Sequence, residues 1–370
     1  MGPSDEIARR VAQLLHHRKP ALQQGDPVVP PIVASATHHL PHVQAGGQFY
    51  GRNGNPTWDA VEAQLSLLED AEAVSFPSGM AAIAAALFAT LKAGDRLVIP
   101  SDGYYVTRVL SDGFLKPLGI EVLAIPTAAY ATQDFTGAAV VYLETPSNPG
   151  LDVVDIAAVA GRARKTGARV IADNTTMTPL LQRPLELGCD LVVAADTKAP
   201  AGHSDVLFGH VAGRDATLIA RVRDWRRMAG AIPGPFEAFL THRGIETLEL
   251  RLERMCASAS VIAERLAAHP AIAGLRYPGL AGDPSHWAVG GQMANGGFLI
   301  GFQLADAGVA EGFLSRCPLI EQSTSFGGTH SAGERRARWG DAVPEGFIRL
   351  SVGVEPVAVL WDAINAALAG

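Results

Sequence analysis

Three apolar runs in this chain end in side chains that together suit amine and carbanion chemistry. Val140–Leu143 leads into Glu144-Thr-Pro-Ser-Asn-Pro149, Val170–Ala172 into Asp173-Asn-Thr175, and Leu191–Ala194 into Asp196-Thr-Lys198. Asn148, Asp173 and Lys198 are thus offered at three successive strand ends. A lysine amine that is partly deprotonated condenses with an aldehyde. A carboxylate beside a pyridine nitrogen keeps that nitrogen protonated, and the ring then withdraws electrons from a carbanion at a substrate α-carbon. An amide near a ring hydroxyl fixes the ring's tilt. Ser78-Gly79-Met80, opening a helix, offers backbone N–H groups and the positive end of a helix dipole to a phosphate, and Thr197 adds a hydroxyl. Each piece alone is ordinary: a strand-end Asp or Lys is commonly a solvated loop residue, and Ser-Gly before a helix is commonly an N-cap. The order of the set is what carries the reading.

Positioning those residues requires an open sheet. Arg96–Pro100, Glu121–Pro126, Ala138–Glu144, Ala168–Asp173 and Asp190–Ala194 are short and nearly all apolar, as strands covered on both faces must be. Helical spacing links Trp58, Val61, Leu65 and Leu68; Ser78–Leu91 and Asp155–Thr166 read as further helices. The sequence therefore predicts a mainly parallel α/β sheet, with its ligand outside the carboxyl ends of the strands. After Pro233-Gly-Pro235 the pattern changes. A helix over Glu246–Leu266 and strands at Leu275–Tyr277, Gly297–Gln303 and Phe347–Val352 predict a smaller α+β unit. The expected divisions are an N-terminal arm over 1–47, a large domain over 48–235 and a C-terminal domain over 236–370. In the arm, Val11, Leu14 and Leu15 line one face of a short helix, and Pro20, Pro27, Pro30 and Pro31 follow. Docking of that arm onto another subunit is expected.

Composition narrows the function classes. The 370 residues carry a net charge of −7 and no basic block, which argues against a nucleic-acid partner. The longest apolar run, Met80–Ala89, is too short for a bilayer, and charged residues near the N-terminus replace the apolar core of a signal peptide. Cys189, Cys256 and Cys317 are too scattered for a zinc site or a disulfide framework. A soluble cytoplasmic protein is expected. His16, His17, His38, His39 and His42 lack companion carboxylates, so no metal is expected. Cys189 reads as buried filler, Glu334–Arg338 as a solvated helix face, and His203 and His330 as residues near the site.

The motifs Tyr50-Gly-Arg-Asn-Gly-Asn-Pro-Thr57, Ser78-Gly-Met80, Glu144-Thr-Pro-Ser-Asn-Pro149, Asp173-Asn-Thr175, Thr197-Lys198 with Gly202-His-Ser-Asp205, and Arg349-Leu-Ser-Val-Gly353 resemble the Cys/Met-metabolism enzymes that use pyridoxal 5'-phosphate (PLP). Cystathionine γ-lyase, cystathionine γ-synthase and methionine γ-lyase are in this family. The resemblance runs from about residue 48 to near the C-terminus. It implies PLP fold type I, with a seven-stranded, mainly parallel sheet, a smaller C-terminal domain and an N-terminal arm. It implies that Lys198 holds PLP as a Schiff base and shuttles protons, that Asp173 pairs with the ring nitrogen, and that Tyr104 stacks on the ring and acts as acid or base on the leaving group. Ser78, Gly79, Met80 and Thr197 would hold the phosphate, and Asn148 would contact the ring oxygen and the substrate. Arg349 would clamp the substrate α-carboxylate, with Ser325 and Thr324 also at the substrate. Tyr50 and Arg52 would reach the phosphate of a neighbouring subunit within a homotetramer built as a dimer of active dimers.

Two departures from the family pattern stand out. Ala195 takes the place of a serine that donates to the phosphate in relatives, a hydrogen bond worth about 1.5–3 kcal/mol to a charged acceptor. Ser325-Phe-Gly-Gly-Thr-His-Ser331 runs almost directly into Glu334-Arg-Arg-Ala-Arg-Trp339, so a segment that borders the substrate in relatives is mostly missing. The expected reaction is α,γ-elimination on a sulfur-containing amino acid, cystathionine γ-lyase-like, with γ-replacement on an O-acylhomoserine as the alternative. A nucleotide-binding oxidoreductase is disfavoured by the lack of a Gly-x-Gly-x-x-Gly turn. A non-catalytic homologue is disfavoured by the joint presence of Lys198, Asp173 and Arg349.

Overall fold

The computed structural model describes residues 3–41 and 49–370, with side chains from residue 7 onward. The expected division at 47/48 and His42 lie outside the described residues. Helix α1 (Pro3–Leu15) and α2 (Pro56–Glu69) precede a βα alternation: β1 (Glu72–Phe76), α3 (Gly79–Thr90), β2 (Arg96–Pro100), α4 (Tyr105–Leu110), β3 (Glu121–Ile125) and β4 (Ala138–Glu144). It continues with α5 (Ile156–Thr166), β5 (Arg169–Asp173), the single turn α6 (Thr178–Leu181), β6 (Leu191–Ala194), β7 (Gly209–Gly213) and α7 (Ala216–Ala229). Among the described residues these strands form one sheet in the order β1-β7-β6-β5-β4-β2-β3. β7 runs antiparallel to both neighbours, and the remaining pairings are parallel. The expected fold class is therefore present. All four residues of β6 and four of five in β5 are buried, which explains why Val170–Ala172 and Leu191–Ala194 are apolar.

Caps fix where the helices begin. Asn55 accepts the N–H of Thr57 at the start of α2, and Ser78 accepts the N–H of Ala81 at the start of α3. α3 carries Ile83 and Leu87 into the core against β6 and β7, each contributing about 1.5–3 kcal/mol by burial. The arm folds back on its own chain: Leu14 is buried in the core beside α2, whereas Leu15, expected on the same face, is exposed. The extended segment behind it is anchored by Asn55 Nδ2, which donates to Val33 O, and by Thr57 Oγ1, which donates to Pro31 O.

α8 (Pro235–Ile245) leads to α9 (Leu248–Ala267), which serves two cores. Leu248, Leu252 and Met255 pack under the large sheet, and Ala259, Ile262 and Leu266 pack under a second sheet. That second sheet is antiparallel, ordered β10-β11-β9-β8, from β8 (Gly274–Arg276), β9 (Leu299–Gln303), β10 (Ala332–Arg335) and β11 (Phe347–Ser351). α10 (Ala307–Arg316) and α11 (Val357–Ala369) cover it. β10 corrects the reading of Glu334–Arg338 as a solvated helix face. Glu334 and Arg335 complete β10, Arg336–Trp339 form a 3-10 turn, and Glu334 and Arg336 are buried because their charges are paired.

Candidate active site

The strand register brings the chemistry together. Glu144 at the end of β4 stands beside Asp173 at the end of β5, and Asp173 beside Val193 of β6. β6 then runs into the turn that carries Lys198. A cavity of about 950 Å³ opens there, lined by Lys198, Asp173, Tyr104, Ser78, Gly79, Met80, Thr197, Asn148, Ser325, Thr324 and Arg349. Every site residue expected within one subunit is therefore on one cavity.

Lys198 Nζ donates to Ser325 Oγ at 2.6 Å and lies 5.0 Å from the centre of the Phe326 ring. Burial, then the nearby Arg349, pushes its pKa down to about 8, with Glu334 and Asp173 opposing. The amine is thus poised for nucleophilic and basic work near neutral pH. Ser325 reaches Lys198 from a backbone at φ +80°, a conformation that costs a non-glycine residue of order 1–3 kcal/mol.

Asp173 is held by the Tyr142 hydroxyl at 2.9 Å on one oxygen and the Thr175 N–H at 3.0 Å on the other. Burial raises its pKa, while Thr175, Tyr142 and the positive Lys198 favour the ionised form. Glu144 accepts the N–H of Tyr104 at 2.6 Å and that of Asn148 at 2.9 Å. Its pKa is pushed up to about 8 by burial and by Asp173 beside it. Glu144 thereby ties the Tyr104 loop to the Asn148 loop. Tyr104 is raised above the ordinary phenol value by burial, then by Tyr105, Asp173 and Glu144, so its hydroxyl keeps its proton. Tyr105 also lines the cavity, with its ring 5.6 Å from that of Tyr104.

The start of α3 faces the Lys198 turn at close quarters. A Cβ on Gly79 would stand 2.5 Å from Ala195 Cβ, and one on Gly209 would stand 2.7 Å from Gly79 N. Side chains at either position would drive the helix terminus away from the turn. Ser78 spends its hydroxyl on capping the helix. Gly79 and Met80 are first-turn residues whose N–H groups have no intrahelical acceptor. Thr197 Oγ1 is engaged by Phe208, accepting its N–H at 2.9 Å and donating to its O at 3.2 Å.

On the opposite wall Arg349 donates to Asn148 Oδ1 at 2.5 Å, Ser325 O at 2.9 Å and Glu334 Oε1 at 2.5 Å, while its Nε is buried without a partner. Burial lowers its pKa to about 10, so it remains charged. Tyr50 and Arg52 are placed elsewhere: Tyr50 is 43% exposed, and Arg52 donates to Arg227 O. His330 lines the cavity; His203 is exposed and its Nδ1 contacts Ala201 O. Among the described residues no cluster suits a metal ion, and no helix is long and apolar enough to cross a membrane. Cys189 is buried. Glu144, Tyr142, Thr175, Glu334, Arg336 and Trp339 complete the site without having been singled out as site residues. Glu144 and Thr175 stand in the motifs that resemble the family and could have been found there, whereas Tyr142 lies inside an apolar strand run.

The donor set fits PLP. A primary amine of lowered basicity answers the aldehyde, a hydrogen-bonded buried carboxylate answers a basic ring nitrogen, and a helix N-terminus answers the phosphate. Comparison with known proteins agrees. The family model described as Cys/Met metabolism PLP-dependent enzyme matches residues 12–369. The chain is 50% identical over 349 residues to a Streptomyces coelicolor protein provisionally named cystathionine gamma-lyase, covering 92% of this chain and 89% of that protein. It is 37% identical to cystathionine gamma-synthase of Mycobacterium tuberculosis, covering 91% of each. A crystal structure of a gamma lyase for cystathionine from Micromonospora echinospora superposes with a TM-score of 0.89 at 40% identity, covering 98% of this chain and 99% of that one.

Proposed function

From the premise that this chain belongs to the Cys/Met metabolism PLP-dependent enzymes, we propose that it is a carbon–sulfur lyase cleaving a cystathionine-like amino acid by α,γ-elimination. The products are a 2-oxo acid, ammonia and a thiol. The observation that carries this reading is the pairing of two groups on one cavity: a lysine amine with its pKa lowered to about 8, and a phenol held protonated. One is suited to take protons and the other to give one to a departing sulfur.

Lys198, Asp173, the first turn of α3 and Asn148 would hold PLP, which when bound supplies the electron sink that makes the substrate α-proton removable. Lys198 Nζ takes that proton and serves the β-carbon next; Ser325 Oγ, 2.6 Å away, keeps the amine aimed into the cavity. Arg349 binds the substrate α-carboxylate with its unpartnered Nε and with donors it now shares with Asn148 and Ser325. Asn148, fixed through its N–H on Glu144, orients both. Tyr104 protonates the leaving sulfur. The exposure of Tyr50 and the position of Arg52 away from its own cavity support their service to a neighbouring subunit, in a homotetramer.

The second reading, γ-replacement on an O-acylhomoserine, uses the same residues and is favoured by the likeness to a γ-synthase. Incubation with cystathionine, and separately with O-acetylhomoserine plus a thiol, tests the choice. The lyase reading expects 2-oxo acid and thiol from cystathionine alone; turnover of the second pair only would overturn it.

A further inference from the structure

Glu334 is completely buried and stands directly opposite Arg349 in the β10–β11 register. Its Oε1 accepts from Arg349 Nη2 and from Arg336 Nη1, each at 2.5 Å, and its Oε2 accepts from Trp339 Nε1 at 2.9 Å. Arg336 is fixed a second time by Asp341, which accepts from Nε at 2.8 Å and lies 2.6 Å from Nη2. Arg349, Arg336 and Trp339 all face the active-site cavity. One carboxylate therefore holds two guanidiniums that repel each other and an indole, and joins β11 to the turn that follows β10. Because so few residues separate Ser331 from Trp339, the chain reaches that turn directly from the strand, and the wall it builds has Glu334 as its common attachment.

We propose that Glu334 is a positioning residue that holds Arg349 in its substrate-binding pose, by the same carboxylate that ties down Arg336 and Trp339. The inference rests on the reading of Arg349 as the α-carboxylate clamp. With Glu334 replaced by Gln, the two guanidiniums lose the negative charge between them and share one neutral oxygen, the amide N–H meets a donor on the other side, and Arg349 is left with Asn148 and Ser325 as its other partners.

The test uses the PLP-loaded enzyme, with E334Q, E334D, R349K and the two double variants. The dissociation constant of L-norleucine, which has no leaving group, is read by equilibrium titration, beside that of its amide and KM and kcat for cystathionine. E334Q is expected to raise the norleucine Kd and the cystathionine KM about tenfold or more, as loss of one charge-assisted contact does, with a smaller change in kcat. The amide Kd should stay unchanged, E334D should recover part of the loss, and neither Glu334 variant should weaken binding further in the R349K background. Unchanged norleucine binding in E334Q while R349K weakens it would overturn the proposal, as would losses that multiply in the double variants. Unchanged binding in R349K itself would overturn the clamp reading and this inference with it. If E334Q fails to fold, E334D compared with E334D–R349K gives the same decision.

Discussion

Replacing His210 by leucine should cost this protein several kcal/mol, in a pH-dependent way that identifies the cause. His210 sits on β7, 1% exposed, with Nδ1 at 3.0 and 2.9 Å from the two oxygens of Asp196 and Nε2 at 3.3 Å from Glu69 Oε1. Burial opposes its charge, but Asp196 and then Glu69 outweigh burial and raise the imidazole to about 10. At neutral pH a cation thus separates two buried carboxylates directly beneath the Thr197–Lys198 turn, to which Asp196 belongs. Removing one partner from a buried ion cluster costs roughly 3–5 kcal/mol. For a chain of this size that corresponds to a fall of about 5 °C in the thermal transition. The folded value lies above the unfolded one of about 6.5. The stabilisation is therefore fully present below about pH 6.5 and is lost as pH rises through about 10. Thermal unfolding of wild type and H210L, followed by calorimetry at neutral pH and above pH 10, reads both effects. The gap between the two proteins should be wide at neutral pH and narrow at high pH, and the neutral triple variant E69Q/D196N/H210L should regain part of the loss. A variant as stable as wild type at neutral pH, or a gap independent of pH, would refute the reasoning.

Two further outcomes concern the residues proposed to hold the cofactor. In protein stripped of PLP, the rate of cofactor uptake should rise with pH through about 8, following Lys198, rather than through the ordinary lysine value; stopped-flow mixing over a pH series checks this. D173N should weaken PLP binding roughly tenfold to a hundredfold, since a charge-assisted hydrogen bond is worth about 1.5–3 kcal/mol. Equilibrium dialysis reads that change; the amide oxygen would face the Thr175 N–H, which can only donate, and the Tyr142 hydroxyl would then accept from the amide N–H.

The site was more legible in the sequence than the strands around it. Asn148, Asp173 and Lys198 stand at the ends of apolar runs, and strand ends are where an open sheet presents its chemistry. Five strands of the large sheet announced themselves by unbroken apolar runs; β1 and β7 did not. β7 begins and ends in glycine because Gly209 meets the backbone of Ser78 and Gly79 and Gly213 meets Leu191, and such glycines look like turns in a sequence. β10 was hidden for another reason. Glu334, Arg335 and Arg336 are charged, so they read as solvent-facing, and only the fold brings Arg349 and Asp341 close enough for burial. The docking of α1 on its own chain was likewise set by a partner surface distant in sequence.

Reduction of the PLP-loaded protein with borohydride, followed by peptide mass mapping, bears most directly on the central claim, because it fixes the cofactor to whichever lysine carries it. The account predicts a single phosphopyridoxyl group on Lys198, absent from K198A together with the protein's yellow absorbance. Modification of a different lysine, or none at all, would contradict it.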